Sequence, residues 1–143
     1  MYGAQSLWRH VVFMLALAIP TAAIAIGVFD FVASPHSTGI LNAVSNALFL
    51  AYLYGAVPLV AMTLPHRRFL ESFRAAGPWT RRLLSAAVAA LVGFAFLAVW
   101  LMLLGTIAAF LFLIPWLLLT TTIYAVLVEP LAARPVGGNR GSA

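Results

Sequence analysis

The longest stretch without a charged side chain, from Leu83 to Val128, constrains the fold most. As one α-helix rising about 1.5 Å per residue, its 46 residues would extend about 69 Å. The hydrocarbon core of a bilayer is roughly 30 Å thick, so this segment crosses a membrane twice if it turns back near its middle. Gly105 and Thr106 are the best candidates for that turn, because they leave about 22 residues on each side.

Two further apolar segments, 11–32 and 40–64, are each long enough to cross once. Hydrophobic residues make up 64% of the chain and charged residues 8%, against roughly 45–50% and 25% in soluble domains. A chain of this size cannot hide so much apolar surface from water. The composition therefore excludes a soluble enzyme and a free nucleic-acid-binding domain. It predicts an all-α integral membrane protein with transmembrane helices at about 11–32, 40–64, 83–104 and 107–128.

The distribution of the basic residues predicts the orientation of these helices. All eight are arginines, and none lies between the first and second apolar segments or between the third and fourth. Short loops rich in Lys and Arg stay on the cytoplasmic side of a membrane. We therefore expect an up-down-up-down bundle in the cytoplasmic (inner) membrane, with both termini inside the cell.

We expect residues 1–129 to form a single transmembrane domain, with a flexible tail at 130–143 and a cytoplasmic amphipathic loop at 65–82. The loop carries five arginines, which would attract anionic lipid headgroups at about 1 kcal/mol per charge near the surface. A docking surface for lipid or for a partner protein is one interpretation, and simple topological anchoring is the other. The candidate docking residues are Arg67, Arg68, Arg74, Arg81 and Arg82.

Small side chains recur every four residues on the second and third predicted helices. Such ridges let helix backbones approach closely within a membrane. We expect the two ridges to meet. They consist of Ala43, Ala47, Ala51 and Gly55 on the second helix, and of Ser85, Ala89 and Gly93 on the third.

Mid-helix prolines and nearby polar residues indicate a candidate cavity. Pro20, Pro58 and Pro115 each lack an amide hydrogen, and a carbonyl freed in this way must find a donor or line a wet space. The alternative is that the prolines are tolerated kinks and that threonine hydroxyls, such as that of Thr120, hydrogen-bond to carbonyls of their own helix. The candidate lining residues are Asn42, Ser45, Asn46, Tyr52, Trp116 and Thr120.

No set of residues typical of catalysis occurs in the sequence, so we expect no enzyme activity. Cysteine is absent, and no carboxylate, lysine or arginine lies near the middle of a predicted span, where proton relays and ion-coupled carriers place them. His10 and His66 should lie at similar depths, and two facing imidazoles can hold a b-type haem. No further motif accompanies them, so we expect neither a cofactor nor a metal.

These features favour an accessory or structural subunit of a larger membrane complex. The alternative is a homo-oligomeric transporter or pore for a small solute or a lipid, and a third interpretation is a subunit that carries haem or quinone. The expected partners are the lipid bilayer with its anionic headgroups, and either other membrane proteins or further copies of the chain. No nucleic acid is expected.

Overall fold

A computed structural model describes residues 4–34, 39–72 and 76–128. Every secondary-structure element in this part of the chain is helical. It contains four helices that are long and apolar enough to cross a membrane, which confirms the predicted all-α, multi-pass class. We call them spans 1 to 4, in order Leu7–Ala33, Ile40–Phe69, Pro78–Leu103 and Ile107–Leu127.

Two of the spans contain a change of helix type. Span 1 joins α1 (Ala4–Phe13), a π-helical segment (Met14–Ala18) and α2 (Ile19–Ala33). Spans 2 and 3 lie in the continuous helices α3 (Ile40–Ser72) and α4 (Pro78–Leu103). Span 4 joins a short 3-10 helix (Ile107–Ala109), α5 (Phe110–Ile123) and a second π-helical segment (Tyr124–Val128).

The segment 65–82, predicted as a cytoplasmic amphipathic loop, is largely helical in the described residues. Helix α3 continues through Pro65 to Ser72, and α4 begins at Pro78, so most of the segment extends the two long helices. Pro65 removes one backbone hydrogen bond, but the contact of His66 with Ser85 holds the following turn against span 3. Residues 73–75, with Arg74, and the predicted tail 130–143 lie outside the described residues.

The turn between spans 3 and 4 lies where the sequence predicts it. Gly105 has a φ of +68°, a left-handed conformation that favours glycine. Its amide donates to the Met102 carbonyl at 3.1 Å, and the Thr106 amide donates to the Leu101 carbonyl at 2.9 Å. These two bonds form a Schellman motif, which ends α4 and satisfies carbonyls that have no partner within the helix.

Close contacts between the spans fill the interior of the bundle. The backbone of Gly27 in span 1 lies so near span 2 that an added Cβ would be 2.8 Å from the Cα of Val44. Phe94 and Phe110 meet edge to face, with their ring centroids 5.6 Å apart, across spans 3 and 4. The core is therefore built from all four spans.

Candidate functional site

Four polar side chains, one from each span, meet inside the bundle. We call them the His–Tyr cluster; they are His10, His66, Ser85 and Tyr124. His10 is 5% exposed, and the other three are fully buried. Because buried polar groups cost free energy unless they are hydrogen-bonded, their partners decide what the cluster can do.

Tyr124 joins the two histidines. Its hydroxyl lies 2.7 Å from Nδ1 of His10, at hydrogen-bond distance. Its ring centroid is 6.0 Å from that of His10 and 5.4 Å from that of His66, the second contact being edge to face. One phenol ring on span 4 thus contacts imidazoles from spans 1 and 2.

The second histidine is oriented by span 3. Nε2 of His66 lies 3.1 Å from the carbonyl oxygen of Ser85 and 3.1 Å from its Oγ. Because a carbonyl oxygen can only accept, Nε2 carries the proton and Nδ1 of the neutral ring holds a lone pair. Nδ1 is buried and has no hydrogen-bond partner among the described residues.

The positions of these residues in the chain explain why they meet. His10 directly follows Arg9, and His66 directly precedes Arg67, each near one end of a span. Side chains near the same end of neighbouring spans lie at similar depths in the membrane, so they can come into contact. The sequence carries no signal that marks Ser85 and Tyr124 as their partners, although each also lies within two or three turns of an end of its span.

The structure does not support a haem between the two histidines. The phenol ring of Tyr124 lies against both imidazoles, and its hydroxyl engages His10. Among the described residues, no group of three or more His, Cys, Asp or Glu side chains could hold a metal ion.

The six candidate cavity residues differ in their exposure, and Tyr52 is 39% exposed. Asn42, Ser45 and Asn46 are exposed on the outside of span 2, whereas Trp116 and Thr120 are buried. The helical period explains the difference, because the opposite side of span 2, with its small residues, faces the bundle. We call Asn42, Ser45 and Asn46 the polar stripe.

The polar stripe has no partner within the described part of the chain, where no hydrogen bond joins its three side chains to other residues. Phe49, one turn farther along the same face, is 65% exposed. The structure therefore presents a polar and aromatic strip on the surface that a bilayer would contact.

The hydroxyls of span 4 bond to their own helix, as the alternative interpretation expected. Thr120 donates to the Trp116 carbonyl at 2.7 Å, and Thr121 donates to the Leu117 carbonyl at 2.9 Å. These hydroxyls are satisfied locally.

The two glycines of the ridges of small residues contact side chains outside the opposite ridge. A Cβ added to Gly55 would clash with the ring of Trp116 on span 4, and one added to Gly93 would lie 3.2 Å from Sδ of Met62. Ser85 contacts His66, and Gly93 lies near Met62, so spans 2 and 3 are antiparallel.

The described arginines flank the His–Tyr cluster. Arg68 is exposed, and Arg67, Arg81 and Arg82 are partly buried. The guanidinium of Arg82 lies 5.3 Å from the ring centroid of Trp79, within the range of a cation–π interaction. We call this part of the molecule the arginine end.

Comparison of the chain with protein-family models, with curated proteins and with solved structures finds no match.

Proposed function

We propose that this protein is an accessory or structural subunit of a larger membrane assembly, to which it binds through the polar stripe of span 2. The observation that carries the proposal is the exposure of Asn42, Ser45 and Asn46 on a membrane-spanning helix. Amide and hydroxyl groups in lipid lack partners and associate with polar groups of other helices.

The orientation we propose is up-down-up-down in the cytoplasmic membrane, with both termini inside. The His–Tyr cluster joins the four spans at one level. The arginines that lie close in sequence to its members are Arg9, Arg67, Arg68, Arg81 and Arg82. Under the positive-inside rule that end faces the cytoplasm. The polar stripe, near the start of α3, then lies in the outer half of the membrane.

The packed interior favours a subunit over a pore through a single copy. The Trp116 ring fills the space beside Gly55, and the cores of spans 1 to 4 are in contact around it. A conducting path would need several copies, and the polar stripe would then lie between them.

The first experiment is native mass spectrometry of the full-length protein extracted into lipid nanodiscs. The proposal expects a particle that contains other membrane proteins in fixed ratio. The double variant Asn42→Leu/Asn46→Leu should lose these proteins while its helicity and melting temperature stay unchanged, since Leu has a similar volume and suits a lipid-facing position.

The matched control is Thr122→Val on span 4. This hydroxyl is also exposed, but it donates to the Leu118 carbonyl at 2.7 Å, so it needs no outside partner. A particle with the mass of one chain, 15.3 kDa, would overturn the proposal. A multiple of that mass would replace it with the homo-oligomer.

A further inference from the structure

A half-open groove of about 270 Å³ lies on span 1 at the arginine end. The described residues that line it are Trp8, Arg9, Val12 and Phe13. Trp8 and Val12 are four residues apart, as are Arg9 and Phe13, so the four side chains form two neighbouring rows on one face of the helix. The groove therefore combines one cation with three apolar side chains.

The groove is held by the core of the bundle on one side and is open on the other. Phe13 is partly buried and packs against the core cluster. His10, the neighbour of Arg9, is held by the Tyr124 hydroxyl at 2.7 Å. Trp8 is 69% exposed, and Val12 is also exposed. The open side of the groove thus faces the surroundings of the bundle, which in a membrane are lipid.

The order of these residues along span 1 matches the order of groups in a phospholipid. Trp8 and Arg9 lie near the end of the span, at the level of the interface, where tryptophan is common. Val12 and Phe13 lie one turn deeper, toward the hydrocarbon. The long side chain of Arg9 can cover apolar surface with its stem while its guanidinium extends to the headgroups. A phosphate level with Arg9 would therefore place an acyl chain beside Val12 and Phe13.

The charge at this end of the molecule favours an anionic lipid. Arg67, Arg68, Arg81 and Arg82 lie at the same end as Arg9, and the chain has eight arginines against three acidic residues. Basic residues beside the membrane attract anionic headgroups. A guanidinium presents five N–H donors and binds phosphate oxygens in pairs. Arg9 can therefore bind a phosphate in addition to its contacts within the protein.

We propose that this groove binds one anionic phospholipid, with its phosphate on Arg9 and one acyl chain against Trp8, Val12 and Phe13. The bound lipid is a defined ligand of span 1, distinct from the lipids that surround the other spans. The groove lies on span 1 and the polar stripe lies on span 2, so the proposal does not depend on the proposed subunit function.

The test is native mass spectrometry of the purified full-length protein, released from nanodiscs that contain equal parts of phosphatidylglycerol and phosphatidylcholine. The expected result is one retained phosphatidylglycerol per chain, in preference to phosphatidylcholine. Arg9→Gln should reduce this preference about fivefold, the factor that corresponds to about 1 kcal/mol for one charge near the surface. Arg68→Gln is the matched control, because it removes an exposed arginine of the same end that does not line the groove. It should keep the preference.

A second pair of variants tests the apolar part of the groove. Trp8→Ala should weaken the retention of both lipids, because it removes one wall of the groove without changing the charge. Trp79→Ala removes an indole that is 72% exposed and lies outside the groove, so it should retain lipid like the wild type. Melting temperatures close to that of the wild type verify that the four variants fold.

Three results would overturn the proposal. The first is that no lipid is retained by the wild type. The second is an equal loss of preference in Arg9→Gln and Arg68→Gln, which would mean that the charge of the whole end attracts lipid without a defined site. The third is displacement of the lipid by millimolar inorganic phosphate, which would mean that the groove binds a free anion.

Discussion

The hydroxyl of Tyr52 on span 2 donates a hydrogen bond to the backbone carbonyl of Leu15 on span 1. Pro20 has no amide hydrogen, and in a regular α-helix it would free the carbonyl of Ala16, four residues earlier. Here the preceding segment is π-helical, and the Ile19 amide bonds to the Met14 carbonyl, five residues back. With the same five-residue spacing, the amide that Pro20 lacks would have bonded to the carbonyl of Leu15. The carbonyl left without a donor is therefore that of Leu15 and not that of Ala16. Tyr52 therefore supplies a donor that lipid cannot supply.

Replacing Tyr52 with Phe should destabilise the protein by about 1 kcal/mol, since the Leu15 carbonyl would lose its donor while the ring remains. The measurement is SDS-driven unfolding in mixed micelles. Tyr54→Phe is the matched control, because no hydrogen bond of the Tyr54 hydroxyl occurs among the described residues. The same substitution should cost less in a Pro20→Ala background, where an amide is restored. An equal cost in both backgrounds would contradict the link between Pro20 and Tyr52.

This contact shows what could be predicted from the sequence and what could not. Pro20 predicts a freed carbonyl on span 1, and the tyrosines of span 2 are evident donors. The π-helical register, which decides whether Leu15 or Ala16 is freed, depends on packing between spans. Local sequence does not encode that packing, so it could not be predicted.

Gly55→Ala should destabilise the bundle by about 1–3 kcal/mol, a typical cost of overpacking. The new Cβ would lie 1.8 Å from Cη2 of Trp116, so the indole must move. Gly39→Ala, where an added Cβ meets nothing within 4 Å, should be nearly neutral. Because the obstacle is a side chain, Trp116→Leu should suppress much of the effect of Gly55→Ala. Strictly additive costs in the double variant would show that the clash is not the cause.

The contact between Gly55 and Trp116 also shows which part of the packing could be predicted from the sequence and which could not. Steps of three and four residues identify which small residues share a helix face, and Ala43, Ala51, Gly55, Ser85 and Gly93 are all buried. Which neighbour each face meets depends on the depth at which spans are paired. That depth is determined here by long-range contacts such as the one between His66 and Ser85, which hydrophobic periodicity does not reveal.

Gly27→Ala should also destabilise the bundle by about 1–3 kcal/mol, but through backbone contact. Its Cβ would lie 2.8 Å from the Cα of Val44 and 3.1 Å from the Ala43 carbonyl oxygen, so spans 1 and 2 must separate. Truncating Val44 to Ala should therefore not rescue the variant. Rescue by Val44→Ala in the same unfolding assay would contradict the close approach of the two backbones.

Tyr124→Phe tests the His–Tyr cluster without disturbing its rings. The phenyl ring can keep the edge contact with His66, while Nδ1 of His10 loses its partner at 2.7 Å. A buried group left unpaired costs about 1–3 kcal/mol, so unfolding should shift by an amount in this range. The nitrogen chemical shifts of His10 should change most, and those of His66, whose Nε2 stays on Ser85, should change little. Thr122→Val, which removes a hydroxyl two residues away on an exposed face, should leave the histidine shifts unaltered. Equal changes in the nitrogen chemical shifts of His10 and His66 would contradict a specific hydrogen bond between the Tyr124 hydroxyl and His10.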